Sequence, residues 1–300
     1  MENNYKNYIY ILITPARNEE KYIEKTIQSV ISQTILPKKW VIVSDGSTDR
    51  TDEIVRKYTN EHRWIELVCM PEHKDRHFAS KIHSFNAGYK RIKDSEYDIL
   101  GNLDADITFK KDYFEYLLGK FFKNPKLGVA GTPFVDRMYG TYDYRFTDIG
   151  HVSGACQLFR RECFKEIGGF MPNKEGGSDW IAVTTARMKG WETRSFSDRI
   201  YIHHRAMGKK HGSKLLSQFN YGKQDYFLGG HPLWEFFRAI YQMTKKPYIV
   251  GGLCLFFGYF WAWSTRAKRP ISRELIKFHR QEQMQRLKQL IGSNRIREEQ

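Results

Sequence analysis

The sequence predicts an α/β fold in which a mostly parallel sheet is flanked by helices, and three observations support this prediction. β-rich apolar runs alternate with segments of helical periodicity through the first half of the chain, so right-handed crossovers are expected to join consecutive strands. Some of these runs are apolar at nearly every position, as in strands covered on both faces. Polar clusters follow three of the strands, at the edge where open α/β sheets bind ligands.

Five strands and three helices can be assigned in order along this half. The expected strands are residues 8–14, 40–44, 65–70, 97–103 and 127–131. Apolar residues at helical spacing predict a helix over 23–31, capping residues at 47–53 precede a second helix, and residues 84–93 predict a third. The polar clusters after the first, second and fourth strands are residues 18–19, 45–49 and 104–106.

The composition indicates anionic partners. The 300 residues carry a formal net charge of +15 and the sequence pI is about 9.5, so nucleotides, lipid phosphates, phospholipid headgroups and nucleic acid all qualify. A hydrophobic content of 41% is enough for a sizeable core.

Nothing near the start resembles a signal peptide. The four cysteines lack metal-ligand or C-x-x-C spacing, which predicts buried thiols in a reducing cytosol.

The character of the chain changes near residue 205. We expect a catalytic domain over residues 1–205 and a basic, aromatic, helical extension over residues 206–300 that associates with a membrane. Residues 248–263 carry no charge and have Lys and Arg on both sides. A spanning helix needs about 20 apolar residues, so an interfacial or re-entrant helix pair is favoured, while a spanning helix and a buried core helix stay open. Residues 272–291 predict an amphipathic basic helix.

Two carboxylates alternate directly after the fourth predicted strand, with one small residue between them. Asp104, Ala105 and Asp106 form this pattern. Carboxylates suit hard divalent cations such as Mg²⁺ or Mn²⁺, and such a cation bridges the phosphates of a nucleotide diphosphate and neutralises charge on a departing one. The pattern therefore predicts a metal-dependent nucleotide site at the carboxyl edge of the sheet.

Six segments occur in the order found in family 2 glycosyltransferases, which the chain resembles over about residues 7–205. They are ITPARNEE at 13–20, VSDGSTDRT at 43–51, LDAD at 103–106, GACQLFRR at 154–161, GGF at 168–170 and GSDW at 177–180. The resemblance implies the GT-A fold, with Mg²⁺ or Mn²⁺ as cofactor. The C-terminal third is similar to the membrane-associated tail of bacterial family 2 enzymes that build surface polysaccharides.

The resemblance implies a nucleotide pocket at the ends of the strands. Its members would be Thr14, Pro15, Ala16, Asn18, Glu19, Asp45, Lys81 and Asp104. Asp45 would accept a hydrogen bond from the base or ribose, with an Asx-turn or helix cap as the alternative. Lys81, with Arg76 nearby, falls where the family contacts nucleotide or phosphate, and a solvated basic loop has nearly equal weight. Asp104 would contact the ribose or bridge to the metal that Asp106 binds.

Asp179 matches the catalytic base of the family. It would remove the proton from an acceptor hydroxyl as that oxygen attacks the anomeric carbon opposite the leaving diphosphate, which inverts the configuration. A helix cap is the other interpretation of this residue, and the accompanying motifs favour the base. Trp180 and Gly154 would belong to the acceptor or sugar site, with a core role as the alternative for Trp180.

Many GT-A enzymes use a late histidine as a further metal ligand, and His203 and His204 end a strand-like run. Strand alternation places the two imidazoles on opposite faces, so only one can serve, and His203 is favoured. Lys209, Lys210 and Lys214 would clamp the leaving diphosphate or a lipid phosphate, or form an exposed basic loop.

The favoured function is transfer of a sugar from a nucleotide-diphosphate sugar to a hydroxyl acceptor, a glycan or lipid-linked glycan, at the cytoplasmic face of the cell membrane. The runner-up is a polyprenyl-phosphate glycosyltransferase, and an essential Asp179 would favour the hydroxyl because a phosphate needs little help from a base. A nucleotidyltransferase usually has a Gly-rich basic loop after its first strand, which residues 15–18 do not supply. A non-catalytic basic module fits the charge, but no nucleic-acid motif is visible. The expected partners therefore include an anionic membrane surface and no nucleic acid.

Overall fold

The apolar runs of the first half form the strands of a large sheet. The computed structural model describes residues 8–73, 78–136, 149–205 and 214–298, and the chain divides into two units, Met1–Ala206 and Met207–Gln300. In chain order the strands described in the first unit are β1 Tyr10–Ala16, β2 Lys39–Asp45, β3 Ile65–Met70, β4 Ile99–Leu103, β5 Ile107–Phe109, β6 Leu127–Gly131, β7 Phe134–Asp136, β8 Cys156–Arg160, β9 Glu192–Ser195 and β10 Tyr201–His203.

Helices separate most of these strands. Those described in the first unit are α1 Ile23–Ile31, α2 Thr51–Glu61, α3 Phe78–Lys90, α4 Tyr113–Lys123, α5 Arg161–Glu166 and α6 Ser178–Met188. Among the described residues, the main sheet has seven strands in the order β3-β2-β1-β4-β8-β6-β9, and β5, β10 and β7 form a smaller sheet. Of the seven strands described in the main sheet, only β8 runs antiparallel to its neighbours, so the predicted mostly parallel α/β fold is confirmed.

β1 is covered on both faces, as its apolar run predicts. Tyr10 and Leu12 pack into one buried hydrophobic core, whereas Ile11 and Ile13, at the alternate positions, pack into a second. Successive side chains of a strand point to opposite faces, so the two cores lie on the two sides of the sheet. β1, β2 and β4 run parallel, and the loops that follow them therefore emerge at one edge.

Several element boundaries differ from the sequence prediction, and two of these differences have a clear cause. α3 begins at Phe78 instead of residue 84, because Ala79, Ile82 and Phe85 form a buried face that the intervening polar residues obscure in the sequence. β1 continues to Ala16, since its pairing with β2 extends past the point where its pairing with β4 ends.

The second unit is helical. Its described helices are α7 Lys214–Phe227, α8 Pro232–Met243, α9 Val250–Ser264 and α10 Arg273–Glu298. Gly222 of α7 faces the backbone of α9, where a Cβ would lie 2.8 Å from the nitrogen of Tyr259. Gly258 of α9 faces the backbone of α7 in the same way. These two glycines allow the helices to cross at a distance that side chains would prevent.

The uncharged segment of the sequence forms α9. Tyr259 and Ala262 face the interior of this unit, whereas Leu253, Phe257 and Trp261 are exposed. α8 also exposes apolar side chains, which are Leu233, Phe236, Phe237 and Ile240. No helix in the described part of the chain combines the length and the apolar character required to cross a membrane.

Candidate active site

Hydrogen bonds join the loop after β1 to the loop after β2. Asn18 adopts a left-handed backbone conformation with φ of 55°, and its side-chain Oδ1 accepts from the backbone N–H of Thr48 at 2.8 Å. In return, Ser47 Oγ accepts from the backbone N–H of Asn18. Asp49 accepts from the backbone N–H groups of Glu20 and Thr51. The polar residues expected to act as helix caps therefore also connect the two loops to each other.

Three possible metal ligands come together beside the loop after β4. Asp104 and Asp106 lie before β5, and His203 ends β10, which pairs with β5 at Ile107. One ligand atom from each of these side chains lies within 4.8 Å of the others. Asp106 and His203 are 6% and 7% exposed. The small sheet thus positions a late histidine beside the two carboxylates.

The hydrogen bond made by His203 determines which ring nitrogen is free to bind a metal. Nδ1 lies 2.6 Å from the backbone oxygen of Arg205, and since a carbonyl oxygen only accepts, Nδ1 must carry the proton. When the ring is neutral, Nε2 has a free lone pair, and it lies 3.7 Å from Asp106 Oδ1. This hydrogen bond from the non-ligating nitrogen to a carbonyl is the usual support for a metal-binding histidine. Two carboxylates and an imidazole therefore fit Mn²⁺ or Mg²⁺.

Two basic side chains pair with carboxylates of the site. Lys81 of α3 forms an ion pair with Asp104, and Arg205 contacts both Glu19 and Asp106, with Nε 3.5 Å from Oδ2. Burial acts to lower the pKa of Lys81, but Asp104, Asp179 and Asp106 outweigh it and raise that pKa above its ordinary value. The site is therefore a cluster of opposite charges in which carboxylates outnumber the basic side chains.

Asp106 differs from an exposed carboxylate in its proton affinity. Burial and then the neighbouring charge of Asp104 raise its pKa, while His203, Arg205 and Lys81 oppose the rise. A divalent cation between the carboxylates would favour their ionised forms.

Asp179 lies in the first turn of α6, directly against Gly154. A Cβ at Gly154 would lie 2.8 Å from Cβ and Cγ of Asp179, so a glycine is needed for this approach. The N-cap of α6 is Gly177, whose φ is 78°, and no side chain caps the helix. The helix-cap interpretation of Asp179 therefore does not explain its position. Trp180, the next residue in α6, is half-buried.

Lys81 connects the region of Asp179 to the carboxylate cluster. Its Nζ lies 3.5 Å from the backbone oxygen of Gly154 as well as in contact with Asp104. Asn102 of β4 donates to the same oxygen at 2.7 Å. The site residues Lys81, Asp104, Asp106, His203, Gly154 and Asp179 are thus brought together.

The other residues predicted to bind the nucleotide are Thr14, Pro15, Ala16 and Asp45, and most of their side chains are already engaged within the protein. Thr14 is fully buried and its hydroxyl accepts from Trp40 Nε1 at 2.9 Å, and Ala16 packs in the core, so only their backbones are left to contact a nucleotide. Pro15 is half-buried next to them. Asp45 is held by His73 Nε2 at 2.9 Å and by Arg17 Nη1 at 3.7 Å.

Four further basic residues are predicted to contact nucleotide or phosphate. Arg76, Lys209 and Lys210 are outside the described residues, and Lys214 is an exposed residue at the start of α7.

Sequence reasoning missed Arg205, Tyr22 and His73 as members of the site. Arg205 is two positions after His203, so the alternation that distinguished His203 from His204 would also have placed Arg205 beside the carboxylates. Tyr22 stacks on His204 with ring centroids 6.0 Å apart. A cavity of about 290 Å³ opens beside Tyr22 and Arg205. Its lining residues are Asn18, Glu20, Lys21, Tyr22, Asp49 and Arg205.

The fold is the GT-A fold found in glycosyltransferases. The structure resembles the mannosyltransferase PcManGT from Pyrobaculum calidifontis in complex with GDP-Man and Mn²⁺, with a TM-score of 0.58 at 19% identity over 90% of this chain and 78% of that one. It also resembles residues 1–349 of TarS from S. aureus in complex with UDP-GlcNAc, with a TM-score of 0.56 at 16% identity over 90% of this chain and 79% of that one.

Residues 11–145 match the family described as Glycosyl transferase family 2. The chain therefore carries a family 2 glycosyltransferase domain, and the family predicted from the six motifs is confirmed. It is 28% identical over 211 residues to the poly-beta-1,6-N-acetyl-D-glucosamine synthase of Staphylococcus epidermidis, covering 63% of this chain and 47% of that protein. The synthase of the same name from Staphylococcus aureus is 33% identical over 117 residues, which are 39% of this chain and 26% of that protein. This chain spans about half the length of the S. epidermidis synthase and about a quarter of the S. aureus one.

Proposed function

We propose that this chain is an inverting, divalent-metal-dependent glycosyltransferase that moves a sugar from a nucleotide-diphosphate sugar to a hydroxyl group. The observation that carries the proposal is the position of Lys81 between the pair Asp104 and Asp106 and the single carboxylate of Asp179. On one side lie Asp104 and Asp106 with His203, and on the other lies Asp179 against Gly154. Sugar transfer requires the donor diphosphate, held by the first group, to lie next to the acceptor hydroxyl, held by Asp179.

The donor would bind to the loops after β1 and β2, which hydrogen bonds join to each other, and to the cluster of Asp104, Asp106 and His203. Asn18, Glu19 and Asp45 are rigidly held there by hydrogen bonds and ion pairs, and a nucleotide would enter the cavity beside Tyr22 and Arg205. Asp104, Asp106 and His203 would hold Mn²⁺ or Mg²⁺. When bound, such an ion supplies positive charge against the diphosphate. Lys81 and Arg205 are placed to exchange their carboxylate partners for phosphate oxygens.

Asp179 acts as the general base in this proposal. Its carboxylate accepts the proton of the acceptor hydroxyl while the oxygen forms a bond to the anomeric carbon and the bond from that carbon to the diphosphate breaks. Attack opposite the leaving group inverts the anomeric configuration. Gly154 keeps this carboxylate close to the donor site, because any side chain at that position would displace it. Trp180, next in α6, offers an apolar ring to the acceptor sugar.

The acceptor is proposed to be a glycan, carried on a lipid, in the synthesis of a bacterial surface polysaccharide. The names of the Staphylococcus relatives, both polysaccharide synthases, support this choice. The second unit supports a location on the cytoplasmic face of the cell membrane. α9 exposes Phe257 and Trp261, and basic residues flank this helix on both sides, which suits an anionic interface.

A donor screen tests the reaction. Purified protein is incubated with UDP-, GDP- and dTDP-sugars and Mn²⁺ or Mg²⁺, and released nucleotide is measured. We expect release from one class of donor that stops when EDTA removes the metal. Absence of release from every donor with either metal, by a protein that unfolds cooperatively, would contradict the proposed reaction.

A further inference from the structure

The second unit contains a cavity whose positive charge has no acidic counterpart along its walls. The cavity has a volume of about 430 Å³ and is lined by His231 and by one face of α10, namely Arg273, Ile276, Lys277, Arg280, Gln281 and Met284. These α10 positions recur every three or four residues, so they form a continuous face of the helix. No acidic side chain is among the lining residues.

The three cations of this face are not neutralised by carboxylates. Within the described residues, Arg273, Lys277 and Arg280 form no salt bridge. Arg280 donates from Nε to the backbone oxygen of Gly229 at 3.0 Å and from Nη2 towards that of Gly230, which holds its guanidinium at the cavity. Like charges at i and i+4 destabilise a helix, so an anion bound between them would stabilise this arrangement.

The cavity also has an electropositive and partly apolar interior. Burial and then the charge of Arg280 lower the pKa of His231, which is consistent with a positive local potential. His231 is fixed at the start of α8, where its backbone N–H donates to Gln283 Oε1 at 2.7 Å and its Nδ1 accepts from Leu233. Ile276 and Met284 supply an apolar wall.

We propose that this cavity binds a phosphomonoester group. Such a group carries close to two negative charges at neutral pH and presents three acceptor oxygens, and arginine and lysine side chains bind it through charge-assisted hydrogen bonds. The group is either the head of a lipid, whose first carbons would contact Ile276 and Met284, or a soluble phosphate. All of the lining residues belong to the second unit, and the proposal does not rest on the proposed sugar transfer.

The test uses the full chain and variants in which one exposed basic residue is replaced by glutamine, which removes its charge. Lys277→Gln removes a cavity cation, and Arg273→Gln removes a second one. Lys288→Gln is the matched control, because Lys288 lies on the same helix, is exposed, and does not line the cavity. Binding of inorganic phosphate is measured by calorimetry. Flotation is measured with phosphatidylcholine vesicles that contain either phosphatidic acid, a phosphomonoester, or phosphatidylglycerol, a diester, at equal surface charge.

We expect Lys277→Gln and Arg273→Gln each to weaken phosphomonoester binding about tenfold, as for loss of one charged hydrogen bond, and Lys288→Gln to leave it unchanged. If this pattern occurs with phosphate in solution, the source is soluble. If it occurs only with phosphatidic acid vesicles, the source is a lipid. Equal behaviour of Lys277→Gln and Lys288→Gln in both assays, equal flotation with both lipids in the absence of phosphate binding, or no binding in either assay overturns the proposal. Thermal unfolding checks that the variants are folded.

Discussion

Gly154 is the residue whose role in the site can be tested with the smallest change. In Gly154→Ala the added Cβ would lie 2.8 Å from Cγ of Asp179, so the carboxylate must move. A displacement of about 1 Å in a catalytic group can cost about 10²-fold in rate. We expect kcat to fall by about that factor while the affinity for nucleotide changes little, measured by nucleotide release and calorimetry.

The matched control is Gly119→Ala in α4, where nothing lies within 4 Å of the added Cβ. That variant should keep the kcat of the original chain, and its stability should be equal or slightly higher because alanine favours helix. If the two variants have the same kcat, the contact between Gly154 and Asp179 has no catalytic importance.

At the residue scale, the sequence predicted the acidic pair and the late histidine better than it predicted their partners. Asp104 and Asp106 follow a strand, and strand alternation favoured His203. The ion pairs could not be predicted in the same way, because they join residues far apart in the chain. Arg205 and Glu19, for example, are separated by 186 positions, and only the folded small sheet brings them together.

At the scale of elements, β10 determines which histidine faces Asp104 and Asp106. His203 Nε2 faces Asp106, whereas His204 Nε2 lies 2.9 Å from Thr108 Oγ1 and its ring stacks on Tyr22. We expect His203→Ala to weaken Mn²⁺ binding by about tenfold or more, as expected when a ligand to the metal is lost. His204→Ala should retain most of the affinity. Electron paramagnetic resonance of free Mn²⁺ measures both, and equal losses would mean that His203 is not a ligand.

Periodicity predicted the sheet well and the helix boundaries less well. β3 and β6 have the predicted bounds. β6 is buried at every position, as expected where both faces of a strand are covered, whereas β3 lies at the edge of the sheet and is only partly buried. α3 was predicted too short, since its first turns place polar residues such as Lys81 at the site and thereby mask the apolar repeat. Functional side chains on a helix thus reduce the signal from which that helix is predicted.

At the scale of the whole molecule, the exposed aromatic face of the second unit predicts binding to anionic membranes. Phe257 and Trp261 are 58% and 51% exposed, and inserting each side chain would contribute about 1.5–3 kcal/mol at full burial. The double variant Phe257→Ser, Trp261→Ser should bind anionic vesicles at least about tenfold more weakly. Flotation measures this, and high salt should release the original chain only in part, since salt screens charge but not burial.

The control for this prediction is Leu36→Ser, which removes an apolar side chain that is 47% exposed in the first unit. It should bind vesicles as the original chain does. If the double variant and the control bind equally, or if the original chain does not bind vesicles, the membrane part of the proposal fails and the transferase part is unaffected.

The sequence could predict that residues 248–263 are unusual, but not how they are used. Their composition was compatible with interfacial, spanning and buried helices. The structure divides these residues between a buried side at Tyr259 and Ala262 and an exposed side at Phe257 and Trp261. That division depends on the crossing of α7 and α9 at Gly222 and Gly258, which no local pattern reveals.

The central claim is that Asp179 is the base of a sugar transfer, and Asp179→Asn tests it most directly. The change keeps the shape of the side chain and removes its ability to accept a proton. Glu175→Gln, in the turn before α6, makes the same chemical change nearby and is the control. With the donor identified by the screen, we expect Asp179→Asn to lower kcat by about 10²-fold or more with nucleotide affinity nearly unchanged, and Glu175→Gln to change neither. Unchanged kcat in Asp179→Asn, or an equal loss of nucleotide affinity, would contradict the claim.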